Sequence, residues 1–239
     1  MKDDEILQEN IERYGEVLGE AYHYVHNQWC DTWWTYNQYR TLFGTNQERI
    51  ELLNKHSGPF FYNVERHFWN ATIMSVCRLT DPFKQGSNRN LSLECLIPLL
   101  DNDELRGEVK IAIKNAKEKA KFARERRSKL LAHSDFDITT KKAEITTSAS
   151  RRKMSEVISS IHEPLRIIAY RIADVDTRPF VLSSHPNELD LLYSLYESSF
   201  GKEHLNKLRQ DAYLDNPHKQ MPTNFPYPDW LIKKDPDWA

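Results

Sequence analysis

Glycine is scarce in this chain, at seven of 239 residues. A sandwich or barrel built on many tight turns draws heavily on glycine, so its shortage excludes that design. The abundance of Leu, Glu, Lys, Arg and Ala favours helices instead. Cysteine is scarcer still. Cys30, Cys77 and Cys95 are odd in number, far apart and free of any C-x-x-C pair, which argues against a disulfide framework and against a zinc site. No run of about 18 apolar residues exists, so no membrane-spanning helix is expected. The start, Met1-Lys-Asp-Asp-Glu5, lacks the apolar stretch of a signal peptide, which leaves the cytoplasm as the expected location. A formal net charge of −2 provides no bulk field for a polyanion. A Gly-rich phosphate loop, a Ser/His/Asp order and an H-E-x-x-H pair are also missing. What is present is 39% hydrophobic and 11% aromatic residues, enough for a real core in one large domain or two small ones.

The periodicity predicts a succession of helices. Leu7, Ile11, Tyr14, Leu18, Ala21, Val25, Trp29, Tyr36 and Phe43 keep a three-to-four spacing, and Gly44 follows as a stop. One helix over residues 4–43 would be roughly 60 Å long. That exceeds a compact domain, so the reading requires a kink or a partner chain. Thr45-Asn-Gln-Glu48 reads as a capping box. Ser57-Gly58-Pro59 interrupts the helix it opens, and the next one shows Phe60, Val64, Phe68, Ala71, Ser75 and Leu79 on one face. Asp81-Pro82 ends it, and residues 83–90 read as a polar loop. A short helix is expected over 92–100. Asp101-Asn-Asp-Glu104 then caps a helix on Leu105, Val109, Ala112, Ala116, Ala120 and Ala123 that continues to His133. Weak alternation over 136–147 is the pattern of a small β-hairpin. A helix follows over 150–173 with a kink at Pro164, and another over 187–213. The last 25 residues, with five prolines plus Trp230 and Trp238, read as an extended tail. The expected architecture is all-α: a helical bundle over 1–180, then a C-terminal helix and tail over 181–239.

Charge concentrates in one place. Between Lys114 and Lys129, eight Lys/Arg face two acids, a local net of +6. This run leads into Arg127-Ser-Lys-Leu-Leu-Ala-His133-Ser-Asp135. Histidine exchanges protons near neutral pH, and arginine offers a flat fork of donors to a phosphate. Together they suit phosphate binding or phosphate chemistry. On a regular helix the two side chains would lie about 120° and about 9 Å apart, so they cooperate only across a helix end, a distortion or a second chain. Arg126 lies within about 20° of the His133 face. The plain alternative is a solvated basic helix end that complements the macrodipole.

The run Arg127 to His133 resembles the R-x4–6-H motif of HEPN domains, helical bundles found in ribonucleases, toxins and abortive-infection proteins. Arg78-Leu-Thr-Asp81-Pro82 and Asn90-Leu-Ser-Leu93 resemble the abortive-infection branch, and the likeness covers roughly residues 5–175. It implies acid–base cleavage of RNA by His133 through the substrate's own 2′-hydroxyl, with no metal and no cofactor. It assigns Arg127 to the scissile phosphate and implies a homodimer whose two motifs share one cleft, with an antitoxin or defence partner. Ser128 stands where relatives often carry Asn, Asp or His, and Asp135 where some carry a nucleotidylated Tyr. Arg78 and Asp81 either brace the site or form a helix-end ion pair. Arg124, Arg126 and Lys129 would line an RNA-binding cleft whose attraction weakens with salt. The alternative is a non-catalytic HEPN module that binds RNA or a nucleotide, or scaffolds a partner as a helical dimer.

Two further groups invite a functional reading. His23 and His26 have a metal-compatible spacing but no acid or Cys beside them, and read as surface histidines. Trp29, Trp33, Trp34, Tyr36 and Tyr39 suit base stacking, or more simply core or interface packing.

Overall fold

The computed structural model describes residues 3–132, 135–140, 142, 148–177 and 188–215. The chain divides into two compact units, Met1–Leu192 and Tyr193–Ala239.

The first unit opens with α1 (Asp3–Tyr14) and α2 (Glu16–Phe43). The predicted single helix is therefore two, and the required kink falls at Gly15. Its φ of 84° and ψ of 162° lie in a region essentially reserved for glycine. There the chain reverses, so that Asn27 meets Asp3 and His23 meets Asn10 in an antiparallel hairpin. Gly19 allows the close crossing: a Cβ there would lie 2.5 Å from the Asn10 carbonyl oxygen.

Next comes α3 (Gln47–Thr80), kinked at Ser57 with Pro59 in the turn that follows, as the breaker triplet requires. Its cap is Asn46, which accepts from the Arg49 N–H at 3.1 Å, while Thr45 instead donates to the Arg40 carbonyl. The buried face of the second half carries Phe61, Thr72, Ile73, Val76, Cys77 and Leu79; Phe60 is exposed. The stripe is thus rotated by about one residue from expectation. The polar loop holds a two-residue-per-strand hairpin, β1 (Lys84–Gln85) with β2 (Asn88–Arg89), turned by Gly86 at φ 63°. A 3-10 helix follows over Leu93–Leu99.

The expected long basic helix is broken into three pieces. They are α4 (Asp103–Lys119), α5 (Lys121–Arg126) and a π-helical turn over Arg127–Leu131. Asn102, one residue later than expected, caps α4 through the Leu105 N–H. Phe136–Thr139, assigned from sequence to a hairpin strand, forms a helical turn, α6, because the Asp135 carboxylate accepts from the Ile138 N–H. Most of the remaining hairpin segment lies outside the described residues.

The last helix wholly in this unit is α7 (Arg151–Ala173), capped by Ser150. It runs unbroken through the buried Pro164, and Asp174 closes it in the left-handed region at φ 53°. Packing α4 along α7 and α2 against α3 builds the core. Its centre holds Val25, Leu53, Ile73, Leu96, Val109, Ala116, Met154, Ile161 and Leu165. Cys77 and Cys95 are buried there too. From Glu188 to Asp215 runs α8, most of which belongs to the second unit. Within that unit Tyr196 and Phe200 pack edge to face at 5.0 Å. The proline-rich tail lies outside the described residues.

Among the described residues, no helix is long and apolar enough to cross a membrane.

Candidate functional site

Among the described residues of the motif, Arg127 is held by an ion pair to another helix. Its Nη1 donates to Asp81 Oδ2 at 2.7 Å, and both side chains are largely withdrawn from solvent. The hydrogen bond to Asp81 raises the guanidinium pKa, against the opposing effect of burial. The charge is therefore permanent. One edge of the fork is held by Asp81, which fixes its direction. Asp81 is placed by the end of α3, where its N–H meets the Arg78 carbonyl at 3.4 Å. Of the two residues expected to brace the site, Asp81 is brought to Arg127. The Arg78 side chain is exposed.

The backbone that carries Arg127 is unusual. From Arg127 to Leu131 the chain adopts the π form, in which the Ala132 N–H reaches the Arg127 carbonyl at 2.8 Å. Such widened turns are rare and concentrate at functional sites. Each residue there turns less than the 100° of an α-helix, so the 120° and 20° offsets expected from a regular helix do not apply. The Asp135 N–H then meets the Lys129 carbonyl at 3.1 Å, which closes the turn. His133 lies outside the described residues.

The other cations have distinct placements. Arg124 donates from Nη2 to the Thr80 carbonyl at 2.6 Å and from Nη1 to the Lys117 carbonyl at 2.9 Å. It thus clamps the C-terminal ends of α3 and α4, where helix carbonyls lack partners. Lys117 also pairs with Glu94, whose carboxyl accepts the Phe83 N–H. Burial would raise the Glu94 pKa, but the Lys117 and Phe83 contacts prevail and lower it. Ser128 is exposed and Lys129 half-buried. Arg126 lines a groove with Tyr39, Trp69, Arg66 and Arg151, residues that sequence spacing did not connect with the motif.

His23 and His26 are not surface histidines. His23 is fully buried between α1 and α2, with Asn10 at 3.3 Å and Asn27 at 3.0 Å. His26 sits among Tyr22, Trp29 and Cys30, and burial pushes its pKa down to about 4, aided by His162 and His23. The packing reading holds for Trp29 and Tyr36, which are buried. Trp29 stacks on His162 at 4.0 Å and donates to the Ile158 carbonyl. Among the described residues no group of three or more His, Cys, Asp or Glu is placed to hold a metal ion.

The helical bundle, the R-x5-H run and the Arg-Leu-Thr-Asp segment accord with the HEPN superfamily, of the abortive-infection type, and a family model shows that membership. More specifically, residues 8–193 match the family model HEPN_AbiU2, described as AbiU2, and the chain belongs to that family. No curated protein and no solved structure matches it.

Proposed function

We propose that the chain is a metal-independent endoribonuclease acting in phage defence or a toxin system, with Arg127 and His133 as its catalytic pair. Arg127 binds the scissile phosphate. His133 takes the proton from the ribose 2′-hydroxyl; the new 2′-O–P bond forms as the P–O5′ bond breaks, and a proton passes to the leaving 5′-oxygen. The products are a 2′,3′-cyclic phosphate and a 5′-hydroxyl. Two proton transfers call for two acid–base groups, which a homodimer with facing motifs would supply as one His133 from each copy. Arg127 meets the charge that develops on phosphorus. The observation that carries this reading is the Arg127–Asp81 pair on a π-helical turn at the end of the basic segment. Family membership supports it.

The test is incubation of purified protein with single-stranded RNA in EDTA. Wild type should cleave, and His133→Ala and Arg127→Gln should not. Cleavage that persists in both variants would remove the assignment. Ser128, at the position after the motif arginine, favours a second reading, a non-catalytic RNA-binding module. That reading predicts binding without cleavage in the wild type.

A further inference from the structure

We propose that the groove between the second half of α3, the C-terminal end of α2 and the start of α7 is a subsite for one nucleotide of single-stranded RNA, next to the phosphate held by Arg127. The groove has a volume near 630 Å³, within the roughly 300–1,000 Å³ range of small-molecule sites. Its wall is aromatic. Tyr39 and Trp69 lie 5.1 Å apart, and Tyr62 at the mouth is 63% exposed. Its charge is cationic: Arg66, Arg126 and Arg151 approach from three separate elements, against one lining carboxylate, Glu65.

Each component answers to one part of a nucleotide. A base stacks on an aromatic ring regardless of its identity. Guanidinium forks suit phosphate oxygens. Arg151 is pre-positioned, because its Nη1 reaches the Phe43 carbonyl at 3.3 Å and its stem packs beside Gly44. The first turn of α7, a 23-residue helix, also presents its positive dipole end here, with Ser150 and Arg151 among the lining residues. Tyr36 fixes that end by donating to the Arg151 carbonyl at 2.5 Å. Glu65 supplies an acceptor for the exocyclic amino group of a base. A solvated packing seam needs neither three convergent arginines nor an acceptor among them.

Proximity to the motif comes from the chain itself. Arg126 lines the groove while its neighbour Arg127 holds Asp81. A strand whose scissile phosphate rests on Arg127 therefore passes a flanking nucleotide over Arg126. The location relative to the scissile phosphate rests on the nuclease reading; the occupancy of the groove does not.

The experiment uses the full chain with His133→Ala as a background, a fluorescent 12-nucleotide single-stranded RNA, and anisotropy over a salt series. Arg126→Gln and Arg66→Gln sit on solvent-accessible side chains and should each flatten the salt slope by about 0.7. Trp69→Leu, and Tyr62→Leu as a variant that keeps folding intact, should weaken binding roughly 5- to 140-fold. Ultraviolet cross-linking should place RNA on the His67–Arg78 peptide, which contains Trp69. Unchanged affinity and slope in these variants, or no RNA binding at all, overturns the subsite. If the substitutions leave affinity unchanged in the His133→Ala background and cleavage unchanged when made in the wild type, while His133→Ala alone abolishes cleavage, the subsite fails and the nuclease stands. If the wild type binds RNA through Trp69 and Arg126 but never cleaves, the subsite stands and the nuclease fails.

Discussion

Acid should unfold this protein through a histidine that has no part in the proposed chemistry. His26 lies between the α1–α2 hairpin and α7, facing Tyr22, Trp29 and Cys30 from its own helix and His162 from α7. Burial, with the neighbouring His162 and His23, lowers its pKa from 6.5 to about 4. The neutral ring is the form the fold accepts. Below 6.5 the unfolded chain takes up a proton that the folded chain refuses, so the unfolded state binds more protons and stability rises with pH. The contribution is complete above about pH 6.5 and is lost as pH falls toward 4. At about 1.36 kcal/mol per pH unit, the full loss is about 3 kcal/mol, of which about 2 kcal/mol has gone at pH 5. Such a loss is a large fraction of a typical folding free energy. Urea unfolding at pH 7.5 and pH 5.0 measures the difference for wild type and for His26→Gln. The variant should lose about 2 kcal/mol less over that interval, since other titrating groups are common to both proteins. An equal loss in the two proteins would refute the reasoning.

Three further perturbations bear on the frame. Asp81→Ala leaves the Arg127 guanidinium without its partner and should cost about 1–2 kcal/mol in urea unfolding, with a larger proportional loss of RNA cleavage, because the fork is no longer aimed. Arg124→Ala removes the donor shared by the Thr80 and Lys117 carbonyls and should cost about 2–3 kcal/mol, seen as a lower thermal midpoint. Gly15→Ala forces a Cβ into φ 84°, ψ 162° and should cost about 1–3 kcal/mol by the same measurement. The proposed dimer should sediment at twice the 28.3 kDa chain mass.

The order of the longer helices was legible because α2, α3, α4 and α7 each bury apolar residues at helical spacing. The hinge at Gly15 was not, because Ile11, Tyr14 and Leu18 keep their spacing across it and hide the reversal. Caps were displaced by one residue, to Asn46 and Asn102. At both ends an Asn beside a Thr or Asp took the N–H, and spacing alone could not choose between neighbours. The α3 stripe was misjudged for a related reason: Phe60 and Phe61 are adjacent, and either one starts a three-to-four pattern. His23 and His26 read as surface histidines because spacing showed no acid or Cys beside them, whereas the folded-back α1 brings the Asp3 carboxylate to 3.3 Å from His23, and Cys30, one turn on, lies 3.7 Å from His26.

The candidate site shows the same division. Arg127, Asp81 and the basic run stand out in the sequence. The π turn has no residue signature, since it depends on which carbonyl the Ala132 N–H selects. The 46-residue separation of Arg127 and Asp81 is beyond any local spacing argument. The groove draws Tyr39, Trp69, Arg126 and Arg151 from four elements and exists only once those elements are packed.

The central claim is that Arg127 and His133 cleave RNA. Mass spectrometry of RNA fragments from EDTA reactions, with wild type and His133→Ala side by side, tests it most directly. The account predicts 2′,3′-cyclic phosphate ends from the wild type alone. Ends of the same kind from His133→Ala, or none from either protein, would contradict it.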